Sequence, residues 1–241
     1  MSSRFLAVLL PFALATGCAA PGGGSGGSTS NDARLRVAAV AQAAGQDDVA
    51  LSLLAAAAAA EPDRAEVQAR HAGALARIGD LAEAEAVLGR ALARHAGDPL
   101  LLVQSGRVHL TAGRAEPALA AFESVLARLP QEAEALNGAG VALDMMGRHG
   151  EAQARYRASR AAAPGNLAAA SNLGLSLLLA GQPAEAAEVL APLARRPGAP
   201  PRVRTNLALA RAAAGEPEAA EALLGGQATR AEVMELGAAL R

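Results

Sequence analysis

Residues 133–166 read AEALNGAGVALDMMGRHGEAQARYRASRAAAPGN, and the fold follows from how this stretch recurs along the chain. Gly147 has counterparts at Gly45, Gly79, Gly113, Gly181 and Gly215, each thirty-four residues from the next. With 25 glycines in 241 residues, six in one register arise by chance roughly once in a million, before allowing for the choice of register. Ala152 recurs likewise at Ala50, Ala84, Ala118, Ala186 and Ala220. Gly140 belongs to a column of small residues (Ala38, Ala72, Gly106, Gly174, Ala208) and Tyr156 to a column of large ones (Leu54, Leu88, Phe122, Leu190, Leu224). Pro164 closes the stretch as Pro62 and Pro130 close two others, while Ala96 and Gly198 take the place of proline.

Each column has a physical reason. A glycine just past a helix accepts the left-handed backbone that ends it, because it has no Cβ. Small residues let two helices approach closely, and a large one fills the gap between one pair and the next. Proline starts a segment but cannot continue a helix interior. A thirty-four-residue unit with these columns resembles the tetratricopeptide repeat, a pair of antiparallel helices. The expected fold is all-α: a right-handed superhelical solenoid of six units at 31–64, 65–98, 99–132, 133–166, 167–200 and 201–234. A further helix within 228–241 is expected to cap the stack.

Composition agrees. The chain is 52% apolar but only 2% aromatic, with no Trp. Much of the apolar content is alanine, which favours helix and buries little area per residue. That suits thin stacked layers rather than one thick core. The net charge of −1 gives no bulk attraction to a phosphate backbone, so nucleic acid is not an expected partner. All basic side chains are Arg, which excludes P-loop, Schiff-base and general-base lysines. One cysteine, Cys18, excludes an internal disulfide and a cysteine metal cage.

That cysteine ends a distinctive N-terminus. Arg4 precedes a mostly apolar run from Phe5 to Thr16. As a helix this run would reach roughly 18 Å, short of a bilayer core of about 30 Å, so a signal segment is expected over 1–17 rather than a membrane span. Leu14-Ala15-Thr16-Gly17-Cys18 resembles the bacterial lipobox, which implies cleavage before Cys18, lipidation of its thiol and acylation of its amino group. Ala19 follows, not Asp, which by the same resemblance implies sorting to the outer membrane, facing the periplasm. Residues 18–30 then form a lipidated Gly/Ser tether with a reach of roughly 20 Å. Gly23 to Gly27 spell G-x-S-x-G, but a hydrolase elbow needs a strand before and a helix after, and neither is expected in this stretch.

Elsewhere little points to chemistry. His71, His95, His109 and His149 form no H-E-x-x-H. His71 and His109 fall at core columns of neighbouring first helices and are expected to be partly buried with polar partners; no set of carboxylates converges there to complete a metal site. Glu83, Glu85, Glu185 and Glu188 look like solvated faces of second helices. Met145 and Met146 end a first helix, as packing or as groove lining. Asn137, Asn172 and Asn206 lie inside first helices, where asparagine is a poor helix former. They admit two readings: clasping the backbone of an extended peptide, or bonding neighbouring helices. No cofactor and no catalysis are expected.

The stretch from Ser171 to Gly181 (SNLGLSLLLAG), then Ala191-Pro192-Leu193, then Arg202 to Ala210 (RVRTNLALA), is similar to the TadD family of tetratricopeptide lipoproteins in tight-adherence (Flp) pilus systems. The lipobox, the tether and the repeat count extend the likeness over most of the chain. The resemblance implies an outer-membrane accessory factor of pilus assembly, acting as a pilotin that binds secretin subunits. The alternative is an adaptor for another envelope pathway, such as docking of peptidoglycan enzymes. The expected partner-binding groove comprises Asn137, Ser171, Asn172, Leu175, Leu179, Arg202, Asn206 and Leu209, mixing amides, leucines and an arginine. Units two and three offer the more charged Glu66, Arg70, Arg77 and Arg107 in comparable places.

Overall fold

The computed structural model describes residues 26–225 and 229–239; Cys18, the apolar run before it and the start of the expected tether lie outside them. The described residues form thirteen helices and no strand. α1 (Gly26–Ala43) pairs with α2 (Asp47–Ala60), α3 (Ala65–Arg77) with α4 (Leu81–Arg94), and α5 (Pro99–Thr111) with α6 (Ala115–Leu126). α7 (Ala133–Met145) pairs with α8 (His149–Ala162), α9 (Leu167–Leu179) with α10 (Pro183–Ala194), and α11 (Pro201–Ala213) with α12 (Pro217–Leu224). α13 (Arg230–Ala239) follows, inside the expected capping segment. The chain is a tetratricopeptide solenoid.

The columns do what their chemistry requires. Gly45, Gly79, Gly113, Gly147, Gly181 and Gly215 all turn from first to second helix with φ between 72° and 89°, a backbone that side chains with a Cβ resist. The alanine column is fully buried at 0% exposure in all six units. A Cβ on Gly106 would lie 2.6 Å from the Phe122 ring, one on Gly140 2.5 Å from the Tyr156 ring, and one on Gly174 2.4 Å from Leu190 Cγ. Small and large columns therefore meet inside a pair. Gly138 presses on the same Phe122 ring from the next pair, where a Cβ would come within 2.3 Å. The large residue is thus gripped from both sides, joining layer to layer.

Helix starts are marked by side chains. The Asp98 carboxylate accepts from the backbone N–H of Leu100 and Leu101, and Asn166 Oδ1 from that of Ala168, satisfying donors a helix leaves free. Pro99, Pro183, Pro201 and Pro217 occupy first-turn positions, where no N–H is missed. One buried cluster runs continuously from Val103 to Ala213, while the first two units, with Leu101 and Val108 of α5, form two smaller ones. α13 sets Val233 against Ala208, Ala212 and Ala220 and closes the end of the stack.

One boundary differs from the sequence expectation. α1 begins at Gly26, so residues 26–30 of the expected tether are helical, and a helix begins inside the G-x-S-x-G stretch. Packing of Leu35, Ala38 and Ala41 beside α2 nucleates α1, and once nucleated a helix extends by a turn at little cost even through weak formers. Among the described residues no helix is long and apolar enough to cross a membrane.

Candidate protein-binding face

From α3 to α11, each first helix touches the next first helix, whereas second helices pack on first helices and hardly on one another. The stack therefore curves with first helices inside, and the positions they leave open form its inner face.

In units four to six this face carries Met145, Leu175 and Leu179, exposed by 47%, 38% and 51%. Around them lie half-buried Asn137, Asn172, Asn206 and Leu209 and the exposed Arg202. Asn172 Nδ2 donates to Asn137 Oδ1 at 3.0 Å, across α7 and α9. Both readings of the asparagines thus meet in one pair: the two amides bond neighbouring helices and still present a partly open edge. Ser171 departs from expectation. It is only 3% exposed, buried within the stack, and it offers nothing to a groove. Met146 packs on the core beneath while Met145 stays outside.

Behind the face lies a polar cluster that the sequence reading missed. Asp144 Oδ1 accepts from Ser176 Oγ at 2.7 Å and lies 2.9 Å from His149 Nδ1; Asp144 Oδ2 accepts from the Tyr156 hydroxyl at 2.9 Å. One carboxylate thus ties α7, α8 and α9 together. Burial, and then the Asp144 charge beside it, push the Tyr156 phenol well above its ordinary value, so it stays a donor. A lone acid within the apolar run 141–146 and a tyrosine in a column of Leu and Phe were the available signals.

His71 and His109 are half-buried as expected, but in each the Nδ1 atom is buried without a hydrogen-bond partner among the described residues. Burial lowers both imidazole pKa values. Among the described residues no group of three His, Cys, Asp or Glu could hold a metal ion. The second-helix glutamates lie at or near the surface, and Glu85 and Glu185 pair with Arg114 and Arg157 of neighbouring units.

The N-terminal half of the inner face is different in kind. Arg70 and Arg77 on α3 and Arg107 on α5 border a cleft of about 500 Å³. An adjoining cleft of about 300 Å³ shares Arg70 and Arg107 and adds Leu100, Val103, Glu66 and Glu134. Arg70 pairs with Glu66 at 2.9 Å, Arg77 with Asp47 at 3.3 Å, and Arg107 with Glu134. The residues named from sequence for units two and three are brought together here, around two adjoining hollows.

No protein-family model matches the chain, and no curated protein matches it. Its fold matches solved structures. PilF of Pseudomonas aeruginosa aligns with a TM-score of 0.66 at 16% identity, over 83% of this chain and 90% of that one. PilW, a widely conserved type IV pilus biogenesis factor, aligns with a TM-score of 0.70 at 18% identity, over 81% and 91%. The Cut9–Hcn1 hetero-tetramer of the APC/C aligns with a TM-score of 0.71 at 15% identity, over 86% of this chain and 42% of that one. At such identities the likeness concerns the fold.

Proposed function

We propose that this chain is a non-catalytic scaffold, anchored to the outer membrane through Cys18, that holds a segment of another protein on the inner face of units four to six. The observation that carries the reading is the row of exposed Met145, Leu175 and Leu179 on first helices, flanked by amides that can bond a peptide backbone. Large apolar side chains facing water along a concave surface are costly unless something covers them. The pathway rests on two likenesses: the TadD-like phrases of units five and six, and the fold shared with PilW, itself a type IV pilus biogenesis factor. The partner that fits is a secretin subunit of a Flp pilus, and the role that of a pilotin.

Titrating the full chain with purified secretin segments tests the groove. Replacing Asn172 and Asn206 together by Ala should weaken binding by about 1–3 kcal/mol with little change in the melt. Undiminished affinity removes the groove from the proposal, and saturable binding of a peptidoglycan enzyme alone moves the protein to another envelope pathway. For the anchor, Cys18→Ser should abolish acylation and membrane attachment, read by fractionation and mass spectrometry of the N-terminus. An unacylated mature protein that still sits in the outer membrane rules the anchor out.

A further inference from the structure

The cleft of units one to three has a composition unlike the rest of the inner face. Arg70 and Arg77 lie seven residues apart on α3, hence on one side of that helix, and Arg107 faces them from α5. Gln42, Gln104 and Thr111 fill the wall between them, and no carboxylate lines this cleft of about 500 Å³. Its floor is short. Gly73 carries no side chain, and a Cβ there would come 3.2 Å from Gln104 Nε2. Glu66, Asp47 and Glu134 pair with the three arginines without lining the cleft themselves. A guanidinium has five N–H donors, so one ion pair apiece leaves each arginine with donors to spare in the cleft it lines. The adjoining cleft adds the exposed Leu100 and the edge of Val103 beside Arg107, bordered by Glu66 and Glu134, the acids already paired with Arg70 and Arg107.

We infer that this cleft is an anion-accepting subsite for an acidic peptide segment, its carboxylates received by Arg70, Arg77 and Arg107 and a following apolar residue by Leu100 and Val103. The inference rests on the protein-binding reading and deepens it: an extended partner would place an acidic end on units one to three and apolar side chains on units four to six. A carboxylate suits the site because guanidinium and carboxylate are planar and pair by two parallel hydrogen bonds. A polyphosphate backbone suits it poorly, since the whole chain carries a net charge of −1 and lacks the bulk attraction that such a backbone draws on.

The test is a fluorescence-anisotropy titration of the full chain with a short labelled peptide of three glutamates followed by two leucines. The expected result is saturable binding that weakens with added salt and falls about tenfold or more when glutamine replaces glutamate in the peptide. Arg70→Gln with Arg77→Gln should cost a similar factor at an unchanged melt, while Arg90→Gln on α4 should cost nothing. Asn172→Ala with Asn206→Ala should also leave this peptide's affinity intact, which separates failure of the cleft from failure of the C-terminal groove. Equal binding of the glutamate and glutamine peptides overturns the inference whatever the variants do. So does equal loss in Arg90→Gln, or binding of phosphatidylglycerol vesicles in place of the peptide.

Discussion

The two halves of this solenoid share one register of buried columns but fill it differently, and they differ again on the face those columns leave open. In units one and two the small column is Ala38 and Ala72 and the large one Leu54 and Leu88, all nearly inaccessible to water. In units three to five glycine faces Phe122, Tyr156 and Leu190, and these side chains lie almost against helix backbone. A larger side chain buried against a bare Cα recovers more apolar area per layer, and the core there is continuous rather than divided. On the inner face the contrast is chemical: arginines tied to acids in the first half, amides, leucines and a methionine in the second. Stacking and recognition are thus assigned to different positions of the same repeat, so recognition can change along the chain without disturbing the stack.

The largest expected effect breaks the stack where the contact is tightest. Gly140→Leu drives a side chain into Tyr156, whose ring a Cβ alone would meet at 2.5 Å, and should cost about 3 kcal/mol or more. Gly150→Leu on α8 meets nothing within 4 Å and should cost nothing measurable. Equal shifts of the two melts would mean that the columns carry no packing role.

Smaller is the effect of making the second half resemble the first at the Asp144 cluster. Units three and five place Leu110 and Leu178 where unit four has Asp144, and Phe122 shows that the ring without its hydroxyl fills the large column. Tyr156→Phe should still cost about 1–2 kcal/mol, because it removes a buried donor and leaves its acceptor behind. Replacing the set together (Asp144→Leu, Tyr156→Phe and Ser176→Ala) should recover most of that loss, since an apolar substitute is often as stable as a buried polar group. Denaturant titration decides; a neutral Tyr156→Phe would show the bond to be dispensable.

What the sequence made legible follows the same division. The repeat, the helix pairs and the glycine turns all depend on short-range rules that recur in one register, and six copies amplify them. The Asp144 cluster occurs once, bridges residues up to thirty-two apart, and has no copy to amplify it. The burial of Ser171 depends on how closely neighbouring helices approach, a tertiary distance no local pattern reports. The clefts are illegible for a related reason: the three arginines read as a charged surface, and the hollow among them, with Gly73 on its lining, forms only once α1, α3 and α5 are brought together. Helical residues 26–30 depend on packing of α1 rather than on their own propensities, which are poor.

A gentler change separates the halves by pH. His71 occupies a place where units four to six have Ala139, Leu173 and Leu207, and His109 one where units four and five have Leu143 and Leu177. Burial holds both pKa values below the ordinary 6.5, so the unfolded chain takes up protons more readily than the folded one. Their contribution to stability is present above about 6.5 and is lost as the pH falls through the lowered folded values. The melt should fall on acidification from pH ~7.5 toward ~5, modestly because both rings are only half-buried. His71→Leu with His109→Leu should flatten that part of the profile, and an unchanged slope in this variant would assign the acid sensitivity elsewhere.

The smallest effect sharpens the comparison most, because it asks what the second half's amides are for. Asn172 and Asn137 share one hydrogen bond of 3.0 Å between half-buried side chains, and a neutral bond open to water adds about 0.5–1 kcal/mol at most. A purely structural pair predicts that Asn137→Ala and Asn172→Ala each cost this small amount and that the double variant costs no more than either. The coupling energy of that cycle would then equal the cost of one single change. A pair that also clasps a ligand predicts the same cycle in the melt but a second, larger loss in affinity for the bound segment. There the two single variants need not agree, because each amide meets a different part of the peptide backbone. Asn206 serves as the internal control: the place one unit back that answers to Asn137 is Ser171, which is buried and is no amide. Asn206→Ala should therefore leave the melt unchanged while still weakening binding. Loss of stability without loss of affinity across all three positions would make the asparagines helix-to-helix bonds and leave Met145, Leu175 and Leu179 alone to hold the partner.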